Sequence, residues 1–259
     1  EQTAIVGLAN RINARFCNVL ALTYDSSAAM VAGSRARTVV TGNPIRPSLL
    51  DGDPETVRDA FGFDPAAPLI YVTGGALGAQ AINNAVREAL PDLLPLTQVL
   101  HQCGPAEANG DYPRLLAARA ALPQDLQARY AVVERVGDEL PGIYAAATAV
   151  VSRAGAGTVA EIATLGKPAI LIPLPGAGGD EQTRNARVLA DNGAAVLLPQ
   201  SELTPERLVA EVRSLLDDPA WRARMGERAR AHGHADAAER LADAILDLAG
   251  RPVPEYART

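Results

Sequence analysis

Three glycine-rich segments carry the residues best suited to chemistry in this chain of 259 residues. They read TGGALGAQ at 73–80, RAGAGTVAE at 153–161 and PGAGGDEQTRNA at 175–186, and each directly follows a short apolar run. Glycine lets the backbone approach a bound group closely, and the free N–H groups at the start of a following helix attract anions. The pattern therefore predicts a site for a phosphorylated ligand.

Each segment also has a purely structural interpretation, which the residues leave open. Gly74 and Gly75 can serve tight packing alone, and Thr158 and Glu161 have the spacing of a capping box, in which the glutamate closes its own helix start. In the functional interpretation, Glu161 instead accepts hydrogen bonds from two ribose hydroxyls. In the third segment Gln182 and Asn185 fall on one face of a helix start, where amides suit sugar hydroxyls.

Composition and the other polar residues argue against several functions. The net charge of −6, without a basic stripe, argues against a nucleic-acid partner. Cys17 and Cys103 lie far apart and the histidines are scattered, so neither a disulfide framework nor a metal site is predicted. Ser152 lacks the Gly-x-Ser-x-Gly pattern of a hydrolase nucleophile. No apolar run approaches the roughly 18 residues of a membrane span.

Six apolar runs that alternate with helical patterns must position these segments. The runs are LIYVT, QVLHQ, YAVVE, AVVS, PAILIP and AAVLLP. Their alternation predicts a doubly wound parallel sheet, in which the glycine-rich segments share one crevice at the carboxyl ends of the strands. Upstream, residues 4–16 have helical spacing, while 19–24 and 37–41 read as strands. Three helical stretches follow Thr204, Pro219 and Ala235.

The segment from Pro44 to Pro68 contains five prolines, which indicates a linker between two domains. We therefore predict that residues 1–43 end one domain, that 44–67 form a linker and that 68–232 form a Rossmann-like domain. Residues 233–259 are expected to form a C-terminal helix and tail that can pack back on the first domain.

Several short motifs occur along the chain in an order that is typical of one known family. GLAN at 7–10, after Glu1-Gln2, resembles the end of a His-Glu-Gln-Asn motif and its helix. GNPIR at 42–46 resembles the interdomain Gly-Asn-Pro-Val-Arg, and 74–79 resembles Gly-Gly-Ser-Gln-Gly-Ala. Residues 152–161, with GKPA at 166–169, resemble the donor-site region. In these motifs and in their order, the chain resembles the carboxyl-terminal two-thirds of the proteins of the MurG family, within glycosyltransferase family 28.

This resemblance implies a GT-B architecture of two Rossmann-like domains with the active site in the cleft. It implies transfer of N-acetylglucosamine, with inversion and without a tightly bound metal or other cofactor, from its UDP donor to a lipid-linked muramoyl-pentapeptide. Glu161 would hold the ribose, the backbone near Val136 would contact uracil, and Gln182 would contact the sugar. The residues implied to bind the donor are Arg46, Gly74, Gly75, Ala76, Val136, Gly155, Glu161 and Gln182.

The resemblance also implies a cytoplasmic location, with peripheral association at the inner face of the cell membrane. The family's general base and most of its acceptor surface would precede Glu1, so we expect this chain to bind donor but to transfer little alone. Ala76-Leu77 replaces the usual Ser-Gln, and Glu181 stands where a neutral or basic residue is common. These departures leave three alternatives open: transfer to another acceptor, a UDP-sugar epimerase of similar fold, or a noncatalytic UDP-sugar-binding module.

Overall fold

The computed structural model describes residues 1–250 and begins with a small parallel sheet. Strand β1 (Val19–Leu22) pairs with β2 (Arg37–Val40), and helix α1 (Leu8–Asn13) precedes them. Val6, Leu22 and Val31 are among the residues of a small apolar core here. Residues 251–259, the end of the predicted C-terminal tail, lie outside the described residues.

Helix α1 is shorter than the predicted helix at 4–16, and that prediction was wrong in its bounds. The first residues instead form hydrogen bonds with the side chain of Glu1. Its carboxylate accepts from the backbone N–H of Thr3 at 3.1 Å and from that of Gly7 at 2.8 Å. In a helix that began at Ala4 the N–H of Gly7 would make the first bond of the ladder, but here it bonds to Glu1 instead. The helix therefore begins only after Gly7.

Six parallel strands form the larger sheet and confirm the predicted doubly wound arrangement. They are β3 (Leu69–Thr73), β4 (Gln98–Gln102), β5 (Tyr130–Val133), β6 (Ala149–Ser152), β7 (Ala169–Leu171) and β8 (Val196–Leu197). Their order is β5-β4-β3-β6-β7-β8. Chain order therefore reverses between β3 and β6, and such a reversal is where ligands bind in open α/β sheets.

Helices cover both faces of this sheet. The helices after α1 are α2 (Pro54–Phe61), α3 (Gln80–Leu93), α4 (Ala106–Asn109), α5 (Tyr112–Ala120), α6 (Gln124–Gln127), α7 (Leu140–Ala146), α8 (Ala156–Leu165), α9 (Glu181–Ala190), α10 (Pro205–Asp217), α11 (Pro219–Arg230) and α12 (Ala237–Leu248). The last three confirm the predicted C-terminal helical stretches. Within residues 1–250, no helix is both long enough and apolar enough to cross a membrane.

Alternate residues of β3 show how the two faces are filled. Ile70 and Val72 join an apolar cluster with α3 and α10, whereas Leu69 and Tyr71 join a second cluster with α7, α8 and α9. A parallel strand buried on both faces reads as a continuous apolar run, which is why the sequence pattern was recognisable.

Contacts also connect the predicted linker and the C-terminal helix to the rest of the chain. Gly52 lies directly against the backbone of Pro141, so a side chain at 52 would overlap that carbonyl. At the other end, Arg37 Nη2 of β2 lies 3.0 Å from Asp247 Oδ2 of α12, both side chains being exposed. The division into domains stays a prediction.

Candidate functional site

The loop at 74–79 leaves the carboxyl end of β3, at the reversal of strand order. Gly74 packs inside this loop, where a Cβ would overlap the backbone of Ala79. Gly75 has a φ of +84° and open space where a side chain would stand. Tight packing therefore accounts for Gly74, whereas Gly75 keeps an open face that a ligand can approach.

A buried array of side chains supports this loop from below. The backbone N–H of Gly75 donates to Thr73 Oγ1 at 3.0 Å, and that hydroxyl donates to Gln102 Oε1 at 3.1 Å. The same Gln102 oxygen accepts the hydroxyl of Tyr71 at 2.7 Å. Residues from two neighbouring strands thus fix the start of the glycine-rich loop.

The second glycine-rich loop leaves β6 and opens helix α8, and here the predicted capping box is wrong. Gly155 is the N-cap, with φ −63° and ψ 150°, and no side chain caps the helix. Thr158 already lies within the first turn, because the helix begins at Ala156. A helical residue cannot take the N-cap conformation, so Glu161 is not engaged in closing its own helix start.

Glu161 instead binds a tyrosine of a neighbouring helix. The hydroxyl of Tyr144, on α7, donates to Glu161 Oε2 at 2.7 Å. Glu161 Oε1 has no hydrogen-bond partner within residues 1–250, and it is not among the buried unpaired oxygens of that part of the chain. The carboxylate is therefore held at one oxygen and accessible at the other.

Burial dominates the electrostatics of Glu161. Removal from water raises the pKa of its carboxyl, and the hydrogen bond from Tyr144 and the positive charge of Arg46 only partly counter this effect. The charge of Arg46 also lowers the pKa of Tyr71 and of Tyr144, but burial has the larger effect and raises both pKa values. Arg46 itself is exposed. Arg46 and Glu161 thus place one cation and one partly desolvated anion in the same region.

Helix α9 brings two amides to the β6 loop, as the predicted shared face requires. Gln182 Oε1 accepts from the backbone N–H of Ala154 at 3.3 Å and of Leu174 at 3.0 Å. Asn185 Nδ2 donates to the carbonyl of Ala154 at 3.2 Å, and its Oδ1 accepts from the N–H of Ala4 at 2.9 Å. The amide nitrogen of Gln182 has no protein acceptor within residues 1–250 and can donate to a ligand.

Two of the predicted site residues, Ala76 and Val136, have apolar side chains and lie in loops that follow strands. Ala76 is exposed in the β3 loop, and Val136 is half-buried beyond the edge strand β5. No group of three or more His, Cys, Asp or Glu residues is arranged to hold a metal ion in the described part of the chain. His101, for example, is buried and lies within hydrogen-bond distance of Tyr130 and Asn83.

Sequence reasoning missed the residues that support the site. Tyr71 and Gln102 read only as members of buried strands, although polar groups at the carboxyl end of such strands are themselves a signal. Tyr144 lies in a helix of otherwise apolar or small residues, and no spacing links it to Glu161. Only the tertiary structure brings its hydroxyl, on α7, to the carboxylate of Glu161, on α8.

Comparison with known proteins identifies the family. The model of the glycosyltransferase family 28 C-terminal domain matches residues 69–241. The chain belongs to glycosyltransferase family 28. The match includes both strands at the reversal, both glycine-rich loops that follow them, Glu161 and Gln182, whereas Arg46 precedes the matched residues.

Similar family 28 proteins carry a specific name. The chain is 38% identical to a UDP-N-acetylglucosamine–N-acetylmuramyl-(pentapeptide) pyrophosphoryl-undecaprenol N-acetylglucosamine transferase of Granulibacter bethesdensis, over 99% of this chain and 65% of the relative. It is 41% identical to a transferase of the same name from Rhodospirillum centenum, over 96% of this chain and 64% of the relative. The chain thus spans a little under two thirds of the length of these relatives.

Solved structures share the fold of this chain. Acinetobacter baumannii MurG superposes with a TM-score of 0.71 at 29% identity, covering 95% of this chain and 66% of that one. A UDP-N-acetylglucosamine 2-epimerase superposes with a TM-score of 0.62 at 16% identity, covering 95% of this chain and 62% of that one. The epimerase shares the fold alone, and the similarity to MurG identifies the fold as GT-B.

Proposed function

We propose that this chain forms the donor-binding part of a glycosyltransferase. The enzyme would move N-acetylglucosamine from UDP-N-acetylglucosamine to an undecaprenol-linked muramyl-pentapeptide in peptidoglycan synthesis. Relatives named for this transfer are 38% and 41% identical over almost the whole chain. One observation carries the proposal: Glu161 presents an accessible carboxylate oxygen beside two glycine-rich loops at the reversal of strand order.

The geometry supports a division of roles among the residues. Glu161 Oε1 would accept hydrogen bonds from the ribose hydroxyls. Gly75, whose outer face is open, would lie against the diphosphate together with Arg46. Gln182 would donate through its amide nitrogen to sugar hydroxyls, because its oxygen is already occupied by the backbone.

The remaining predicted residues would act through the backbone. We propose that the main chain near Val136 contacts uracil and that Ala76 lies beside the diphosphate. Gly155 opens α8 without a side-chain cap, so the first N–H groups of that helix remain available to an anion.

These groups suit the departure of UDP. In the transfer, the acceptor hydroxyl attacks the anomeric carbon from the side opposite UDP and gives up its proton to a general base, while UDP leaves with the electron pair of the broken C–O bond. Negative charge then grows on the diphosphate. Backbone N–H groups that are already oriented, with the charge of Arg46, stabilise this charge without having to reorganise.

Calorimetric titration with UDP and with UDP-N-acetylglucosamine tests the donor site. We expect the parent chain to bind both and Glu161→Ala to bind UDP about 10- to 150-fold more weakly, because a hydrogen bond to a charged group contributes roughly 1.5 to 3 kcal/mol. Glu239→Ala, on the exposed face of α12, is the matched control and should bind like the parent. Absence of UDP binding by the parent, or parent-like binding by Glu161→Ala, would contradict the proposal.

The comparisons favour a transferase over the alternatives. A UDP-sugar epimerase has the same fold but only 16% identity, whereas the relatives named as transferases reach 41%. The open Gly75 face and the accessible Glu161 oxygen also favour donor binding despite the replacement by Ala76-Leu77.

We further propose that α1 supports peripheral contact with the inner face of the cell membrane, in a cytoplasmic protein. Leu8, Ile12 and Phe16 follow one another at four-residue spacing and expose 75%, 49% and 79% of their surface. Arg11 and Arg15 lie between them in sequence. Apolar side chains flanked by arginines favour binding to an anionic lipid surface.

Co-sedimentation with vesicles tests this surface. We expect the parent to bind vesicles that contain phosphatidylglycerol more than vesicles of phosphatidylcholine alone, and Phe16→Ser to bind at least about threefold less, because apolar burial is lost. Ile245→Ser removes an exposed apolar side chain from α12 and should leave binding unchanged. Equal binding by the parent and Phe16→Ser would overturn the proposal.

A further inference from the structure

We propose that Tyr144 is a positioning residue for Glu161, holding one carboxylate oxygen so that the other faces the ribose hydroxyls of the donor. The inference rests on the proposed donor site and deepens it. It is carried by the short contact between the two side chains and by the way in which the tyrosine is itself held in place.

The contact determines which part of the carboxylate is open. Tyr144 Oη donates to Glu161 Oε2 at 2.7 Å, a distance typical of a well-formed O–H···O hydrogen bond. Oε1 is left without a protein donor in the described part of the chain. A glutamate without this bond can rotate about its terminal torsion, which is broad and roughly two-fold. Tyr144 therefore selects one orientation of the carboxylate plane.

Tyr144 can do this because it has little freedom of its own. Its side chain is 2% exposed, and its ring meets that of Tyr71 edge to face, with centroids 5.7 Å apart and planes at 82°. The helix that carries it is also tightly seated, since a side chain at Gly142 would lie within 3.0 Å of Asp53 and Val57. The hydroxyl is consequently held in place by contacts of its ring with β3 and of its helix with α2.

The aromatic pair also connects two parts of the site. Tyr71 donates to Gln102, which accepts from Thr73, and Thr73 in turn accepts from the backbone N–H of Gly75. Tyr71 thus supports the loop assigned to the diphosphate, while Tyr144 supports the carboxylate assigned to the ribose. This arrangement supplies a matched control, because Tyr71→Phe removes a buried hydroxyl from the same ring pair without touching Glu161.

Discrimination between UDP and 2′,3′-dideoxyuridine diphosphate tests the proposal by calorimetry. We expect the parent to prefer UDP by about tenfold or more, in keeping with hydrogen bonds to a charged acceptor. In Tyr144→Phe the preference should fall at least about threefold. A carboxylate that is free to rotate must be ordered when UDP binds, and this cost weakens its hydrogen bonds with the two ribose hydroxyls. Tyr71→Phe should keep the parent preference even if its overall affinity falls. A merely structural role of Tyr144 would lower thermal stability without changing this ratio.

The pH dependence of UDP binding gives a second measurement. The Tyr144 hydrogen bond favours the ionised carboxylate, so its loss in Tyr144→Phe should move the acid-side loss of UDP binding to higher pH. The other ionisable groups that act on Glu161 or on Tyr144, namely Arg46 and Tyr71, are unchanged in this variant. An unshifted profile together with a parent-like preference would overturn the positioning role.

The outcomes separate this inference from the donor site itself. If the parent does not bind UDP, or if Glu161→Ala keeps the preference for the ribose hydroxyls, both proposals fail. If Glu161→Ala loses the preference but Tyr144→Phe retains it, the donor site stands and the positioning role of Tyr144 is overturned.

Discussion

At the scale of single residues, Glu161 holds a carboxylate in surroundings that do not fully solvate it. Burial raises the pKa of this group, and Tyr144 and Arg46 offset that effect only in part. A partly desolvated carboxylate with one open oxygen is well suited to accept hydroxyl donors, since these complete its hydrogen bonding. The residue was identified from the sequence, but its tyrosine partner was not.

Glu161→Gln should separate binding from stability. The pKa of Glu161 is higher in the folded protein than in the unfolded chain, so the protonated side chain stabilises the fold. This stabilisation is fully present below the unfolded pKa and is lost as the pH rises through the folded pKa. At pH 7.5 the ionised side chain therefore lowers stability, whereas glutamine keeps the shape and an oxygen for Tyr144. We expect an equal or higher Tm by scanning fluorimetry, together with UDP affinity reduced by about tenfold or more.

The same comparison near pH 4 serves as its control. There the parent carboxyl is protonated, so its Tm should approach that of Glu161→Gln. A Tm at pH 7.5 that is clearly lower for Glu161→Gln than for the parent would show that the ionised carboxylate stabilises the fold, contrary to this expectation.

At the scale of elements, the two glycine-rich loops follow the strands on either side of the reversal in chain order. β3 leads into the loop with Gly75, and β6 leads into the loop with Gly155, so both loops emerge at neighbouring carboxyl ends. Strand and helix alternation predicted this outcome, because a parallel strand carries its signal in its own apolar run. The helix starts were less predictable: Thr158 has the type and spacing of a cap, but α8 already begins at Ala156.

The glycines of the two loops should differ sharply in their tolerance of a methyl group. Gly78 has a φ of +74°, and a Cβ there would overlap the carbonyl of Cys103, whereas Gly157 has open space around the same position. We expect Gly78→Ala to cost roughly 2 kcal/mol or more and to lower Tm by about 5 °C or more, because backbone strain and overlap add. Gly157→Ala, the matched control, should leave Tm within about 2 °C of the parent. Equal Tm values for the two variants would refute this distinction.

At the scale of the whole molecule, one buried amide connects the N-terminal segment to the larger sheet. Asn185 of α9 accepts from the N–H of Ala4 and donates to the carbonyl of Ala154, at the start of the β6 loop. Its side chain is fully buried, so both bonds replace water that is excluded from the site. The N-terminal segment before the small sheet is thus joined directly to the loop that follows β6.

The sequence by itself determined the strand and helix alternation, the parallel sheet, the glycine-rich loops and the family. These features are encoded locally, in residue periodicity and in short motifs. Only the tertiary structure decided that Tyr144 holds Glu161 across 17 residues and that Asn185 reaches Ala4 across 181. Such bonds depend on how helices pack beside one another and on which rotamers that packing allows. No spacing along the chain specifies them, because residues that are distant in sequence meet only after the core has formed.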